Sequence, residues 1–164
     1  VVFPFLKRVG IMWHTGSVDI GSEHFVSNIF RKRLITAIDS LTPSDNPDRK
    51  KFILYLPENE LHEMGLLFYT FLIRKAGHNV LYLGQTTPFA GLKDVVERWH
   101  PDFLVTGALT SLPFGKPEEY LKRISSAFRE QTIIVSGILA LHAGKMSLNN
   151  VVPFDSFNSL KQHL

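Results

Sequence analysis

Cysteine is absent from the 164 residues, which excludes disulfide staples and thiolate metal sites. No apolar run is long enough to span a membrane, so no membrane partner is expected. The opening Val1-Val2-Phe3-Pro4-Phe5-Leu6-Lys7-Arg8 has neither a signal-peptide layout nor an initiator methionine. The expectation is a cytoplasmic piece of a longer chain whose missing part lies in front. Charge of one sign is also scarce, with a net charge of +3. The basic residues gather in two short runs, Arg31-Lys32-Arg33 and Arg49-Lys50-Lys51, without a recognition helix or zinc motif around them. A solvated helix face and a charged linker explain them, and direct nucleic-acid binding by these residues does not follow.

Several catalytic signatures are missing too. A phosphate-cradling P-loop is absent, and no G-x-G-x-x-G follows the first strand-like run. The pair His62-Glu63 starts an H-E-x-x-H zinc-protease pattern, but Leu66 stands where the second histidine is needed. A receiver-type phosphoacceptor fails as well, because the third strand-like run ends in Thr106-Gly107 with no aspartate. No enzyme class is indicated.

What is present is an apolar fraction of 45%, enough for a sizeable core. Leu41-Thr-Pro-Ser-Asp-Asn-Pro-Asp-Arg-Lys50, with its prolines and small polar residues, reads as a linker. It divides a segment 1–41 from a segment 51–164. Before it, Phe25, Ile29, Phe30, Leu34 and Ile38 recur at helical spacing, predicting an amphipathic helix over about 20–41. Asp19 or a neighbour is placed to cap that helix, and Glu23 to face its positive end. A shorter helix is expected over about 3–13. After the linker, strand-like runs at 51–56, 80–83, 103–109, 132–135 and 150–154 alternate with helix-like runs at 62–76, 91–99, 117–129 and 155–163. Segment 136–142 reads as a turn. Such alternation predicts an α/β fold, a five-stranded parallel sheet sandwiched by helices in the flavodoxin-like, Rossmann-like manner. Ligands in that architecture bind beyond the carboxyl ends of the strands.

At that edge, Glu60-x-His62-x-x-Gly65 occupies the first strand-to-helix turn. His62 on its own could cap the helix or be solvated. The neighbouring carboxylate makes a second role available: it accepts the Nδ1 proton and leaves Nε2 free to ligate a metal. Gly65 removes a side chain where something bulky has to pass along the helix.

These residues resemble a cobalamin-binding signature whose usual form is D-x-H-x-x-G, followed down the chain by S-x-L and then Gly-Gly. At matching spacing stand Thr106-Gly107-Ala108 and Ser136-Gly137, with Thr for Ser, Ala for Leu and Ser for the first Gly. The resemblance implies that His62 is the lower axial ligand of cobalt and that Glu60 orients it. It further implies that Gly65, Thr106, Ala108, Ser136 and Gly137 line a slot for the nucleotide tail of the corrinoid. The W-x9-E-H pattern of Trp13, Glu23 and His24, with the dipeptide Trp13-His14, is similar to the helical cap of MerR-family light-sensing transcription regulators of the CarH/LitR type. In that family a DNA-binding domain and a helical bundle precede the cobalamin domain. The resemblance implies adenosylcobalamin as cofactor, with Trp13, Glu23 and His24 facing the upper ligand. It also implies that His14 is placed to become an upper cobalt ligand once the adenosyl group is lost, and that a homo-oligomer forms through the cap. Operator DNA would be met only through a domain absent from this chain. Two alternatives remain: a corrinoid methyl carrier serving methyltransferases, and a degenerate domain that keeps the fold without the cofactor.

Overall fold

The computed structural model describes residues 19–42, 47–109 and 115–154. Two compact units divide between Ser40 and Leu41. In the first, helix α1 runs Ile20–Asp39. Asp19 is its N-cap, and the carboxylate accepts the Ser22 backbone N–H at 2.9 Å, satisfying one of the donors that a helix start leaves open. Ile20, Phe25, Val26 and Ile29 on this helix are exposed. The shorter helix expected over 3–13 lies outside the described residues.

The second unit is the alternating fold. Its strands are β1 (Lys51–Tyr55), β2 (Asn79–Gly84), β3 (Phe103–Ala108), β4 (Thr132–Gly137) and β5 (Val151–Pro153). Between them lie α2 (Met64–Lys75), α3 (Phe89–Trp99), α4 (Pro117–Ala127) and α5 (Ile138–Ala143). The five strands pair in the order β2-β1-β3-β4-β5, all parallel, as the alternation of runs predicted. Burial on both sides explains why the strands read as apolar runs: Phe52, Ile53, Leu54 and Tyr55 of β1 are all inside.

Right-handed crossovers assign the faces. The chain steps one way from β1 to β2 and the other way through β3, β4 and β5, so α2 covers one face and α3, α4 and α5 the other. The second face is one continuous core in which Ile53, Tyr55, Leu104 and Val135 meet Leu92, Val96, Leu121, Ile124 and Leu139. The direction of winding reverses between β1 and β3, and a crevice opens at such a switch point beyond the strand ends.

Two expectations about elements are corrected. Segment 136–142 is not a plain turn, because α5 begins directly after Gly137, whose φ of 64° turns the chain off the strand end. Helix α2 begins at Met64 and not at His62. The Glu60 side chain accepts the His62 backbone N–H at 2.9 Å, and Glu63 N bonds Leu61 O at 2.9 Å, holding this stretch in a tight non-helical loop. The helix-like run at 155–163 lies outside the described residues.

Candidate functional site

The loop after β1 is built as a turn. Glu60 N donates to Pro57 O at 3.0 Å, and Asn59 takes φ 62°, the left-handed conformation that asparagine tolerates better than most residues. The turn carries Glu60 into the switch-point crevice, where its side chain is 2% exposed. One carboxylate oxygen, Oε1, accepts both the His62 backbone N–H and the His62 ring, whose Nδ1 stands 2.5 Å away. The other, Oε2, accepts the backbone N–H of Leu109 from the end of β3, at 2.9 Å. Glu60 therefore ties the ends of the two strands that flank the switch point. Burial alone would raise its pKa, but the His62 and Leu109 hydrogen bonds outweigh that and hold the carboxyl below its ordinary range.

His62 is held through Nδ1 and is otherwise open, with its side chain 42% exposed. Among the described residues Nε2 has no partner. Occupation of Nδ1 by a carboxylate selects the tautomer whose Nε2 lone pair is free, the arrangement that metal-ligating histidines adopt. Leu61 and Leu109, on the loops at this edge, are exposed apolar side chains. A group with an apolar body and a metal centre fits these residues. The described residues contain no cluster of three or more His, Cys, Asp or Glu able to hold a metal by themselves, so His62 can supply one protein ligand to a group that brings the others.

Gly65 lies in the first turn of α2, and among the described residues a Cβ added there would meet only Tyr69, its ring Cε2 at 3.8 Å and its hydroxyl at 4.0 Å. Ser136 faces the same side. Its Oγ reaches Thr106 O at 3.4 Å and stands 2.2 Å from where a Cβ on Gly107 would be. Gly137 passes so near Ala108 that a Cβ would meet that carbonyl oxygen at 2.1 Å, and only glycine suits its φ of 64°.

The placement of Thr106 and Ala108 is a correction. Strand alternation turns both toward the α3–α4 core, where Ala108 packs and where Thr106 is buried next to Tyr55 and Tyr120. Gly107, between them, is the β3 residue on the side of Gly65 and Ser136. The register of Gly107 opposite Ser136 puts the hydroxyl on this side of the sheet on β4. Sequence reasoning missed Gly107, Tyr69 and the Leu109 amide. Tyr69 was signalled by its helical i,i+4 spacing from Gly65; a backbone donor carries no residue signature at all.

In the first unit, Glu23 and His24 are neighbours, with His24 Nδ1 3.0 Å from Glu23 Oε2. Glu23 Oε1 also accepts the Ser27 hydroxyl at 2.5 Å. Trp13 and His14 lie outside the described residues. Glu63, which made a zinc motif tempting, is buried and accepts the Tyr82 hydroxyl at 2.7 Å. His78 is a packed histidine whose Nδ1 accepts the Lys50 N–H at 3.2 Å.

No family model matches the chain. It is 32% identical over 127 residues to the HTH-type transcriptional repressor CarH of Myxococcus xanthus, a match covering 77% of this chain and 42% of the repressor. The repressor CarA of the same organism is 30% identical over 128 residues, covering 78% of this chain and 41% of CarA. The chain thus spans about two fifths of the length of these relatives. Among solved structures, the monomethylamine corrinoid protein of Methanosarcina barkeri superposes with a TM-score of 0.71 at 12% identity, over 96% of this chain and 76% of that one. A cobalamin-binding protein of Desulfitobacterium hafniense DCB-2 gives a TM-score of 0.50 at 20% identity, over 88% of this chain and 69% of its own. By sequence the chain belongs to the family of the CarH-type repressors, and its fold is that of the corrinoid and cobalamin-binding proteins.

Proposed function

We propose that this chain is a cobalamin-binding sensory module of a transcription regulator. The observation that carries the proposal is the Glu60–His62 pair at the switch point: a buried carboxylate on Nδ1 and an open Nε2 at the edge where this fold takes its ligands. His62 serves as the lower ligand of cobalt, and Glu60 fixes its tautomer and ring direction. Leu61 and Leu109 give the corrin ring an apolar seat, and Gly65, Gly107, Ser136 and Gly137 leave room for the nucleotide tail. Bound with an adenosyl upper ligand, the cofactor supplies a light-labile cobalt–carbon bond.

The sequence pattern assigns Trp13, Glu23 and His24 to the upper-ligand side, and His14 to the upper coordination position after the adenosyl group has gone. The chain's part in sensing is a change in cap contacts that biases self-association and, through a domain outside this chain, operator binding. A methyl carrier would use the same histidine; the sequence kinship with repressors favours the regulator.

The test is spectroscopic. Purified in the dark with adenosylcobalamin, the protein is expected to hold the corrinoid and to change its absorption irreversibly under green light. His62→Ala is expected to lose the His-ligated spectrum. Glu60→Gln is expected to weaken binding by about 10–100-fold, the usual cost of removing a carboxylate behind a metal-bound histidine. A His62→Ala variant with unaltered spectrum and affinity would sink the ligand assignment, and a light-insensitive adenosyl complex would remove photoreception.

A further inference from the structure

Gly65 is not explained by the packing of the described residues. Its φ is not in the left-handed region, and an added Cβ would make only ordinary contact with Tyr69. Glycine at this place disfavours the helix it stands in. Among the described residues one side chain reaches the space that it leaves.

That side chain is Tyr69, one turn on and on the same face of α2. It is buried at 7% exposure between α2 and the sheet. Its ring packs edge-on against Phe154, 5.0 Å between centroids, and its hydroxyl lies on the side of Ser136 and Gly65. Ser136 Oγ in turn fills the volume left by the missing side chain of Gly107. Between helix and sheet, then, Ser136 takes the volume left at Gly107, and the Tyr69 phenol takes the space beside Gly65.

We propose that the Tyr69 side chain is a plug: without ligand it occupies the tail slot, and a corrinoid with a nucleotide tail must displace it, whereas a tail-less corrinoid need not. This rests on the cobalamin reading above. Displacement breaks the Phe154 contact and opens the side of the slot on which Ser136 stands to the tail. A site that is open only part of the time binds more weakly by the fraction open. Tyr69 thereby sets the discrimination between tail-bearing and tail-less corrinoids.

The experiment titrates the full chain with cobalamin and, separately, with cobinamide, which lacks the nucleotide tail. Tyr69→Ala, which removes the plug, is expected to tighten cobalamin binding about tenfold and to leave cobinamide unchanged, as for a slot open about a tenth of the time. Tyr69→Phe keeps the ring and loses only the hydroxyl that reaches toward Gly65, so a smaller shift of the same sign is expected. This second variant decides the matter if circular dichroism shows that the alanine variant does not fold. A cobalamin-to-cobinamide affinity ratio that stays constant, or falls, in the folded variants overturns the plug while leaving the cobalamin reading standing. A wild-type chain that binds neither corrinoid overturns the cobalamin reading and the plug with it.

Discussion

At the residue scale one close fit in the site is between neighbours on β3 and β4. Gly107 and Ser136 are register partners, and the serine hydroxyl lies 2.2 Å from the position a Cβ on Gly107 would take. Gly107→Ala should therefore destabilise the fold by about 1–3 kcal/mol, the ordinary range for overpacking an interior. Ser136→Ala, which deletes the offending hydroxyl, should restore most of that loss in the double variant. A double-mutant cycle by urea denaturation measures the coupling, and additive effects would contradict the contact. Residue roles set by near neighbours were legible in the sequence. Glu60 sits two positions from His62, and its carboxylate bonds the imidazole as that spacing suggested. Thr106 and Ala108 were misassigned for the opposite reason: which face a strand residue takes depends on the whole sheet, and a shift of one position reverses it.

At the scale of elements, capping is the most local device and the most readable. Asp19 or a neighbour was expected to cap the helix over 20–41, and Asp19 does, with hydrogen bonds from Ser22 side chain and backbone holding its carboxyl below the ordinary range. A carboxylate lowered in this way contributes stability that is fully present above its unfolded value of about 3.9 and is lost as pH falls through the lower folded value. The Ser22 amide proton should therefore titrate with a midpoint below about 3.9 in a two-dimensional NMR series, and not at all in Asp19→Asn. A midpoint at or above the ordinary value would remove the cap from solution. Helix α5 was not readable in the same way. A short run such as Ile138-Leu-Ala-Leu-His-Ala143 is too brief for a period to declare itself, and its helical state follows from Gly137 turning the chain off β4. Helix α2 lost its expected first residues to the Glu60–His62 hydrogen bond, a local competitor that hydropathy does not register.

At the scale of the whole molecule, the alternation of runs implied a parallel sheet, and the strand order puts the switch point between β1 and β3. Glu60 spans it by bonding Leu109, which makes the site a property of two chain segments that the sequence holds far apart. Helix α1 exposes Phe25, Val26 and Ile29, apolar surface that suits the proposed self-association through the cap. Phe25→Glu combined with Ile29→Glu should shift the protein to smaller species in size-exclusion chromatography with light scattering, in the dark and with cofactor. An unchanged mass would exclude this part of α1 from the contact.

By itself the amino-acid sequence determined the alternating α/β class, the cap of α1 and the Glu60-x-His62-x-x-Gly65 cluster, because each depends on spacing within a few residues or on burial of a whole run. Only the tertiary structure decided that Gly107, not Thr106, lies on the side of Gly65 and Ser136, that the Leu109 amide completes the hold on Glu60, and that Tyr69 stands beside the space at Gly65. Those relations are fixed by strand register, by the hand of the crossovers and by a backbone donor, none of which a single sequence encodes in the identity of a residue.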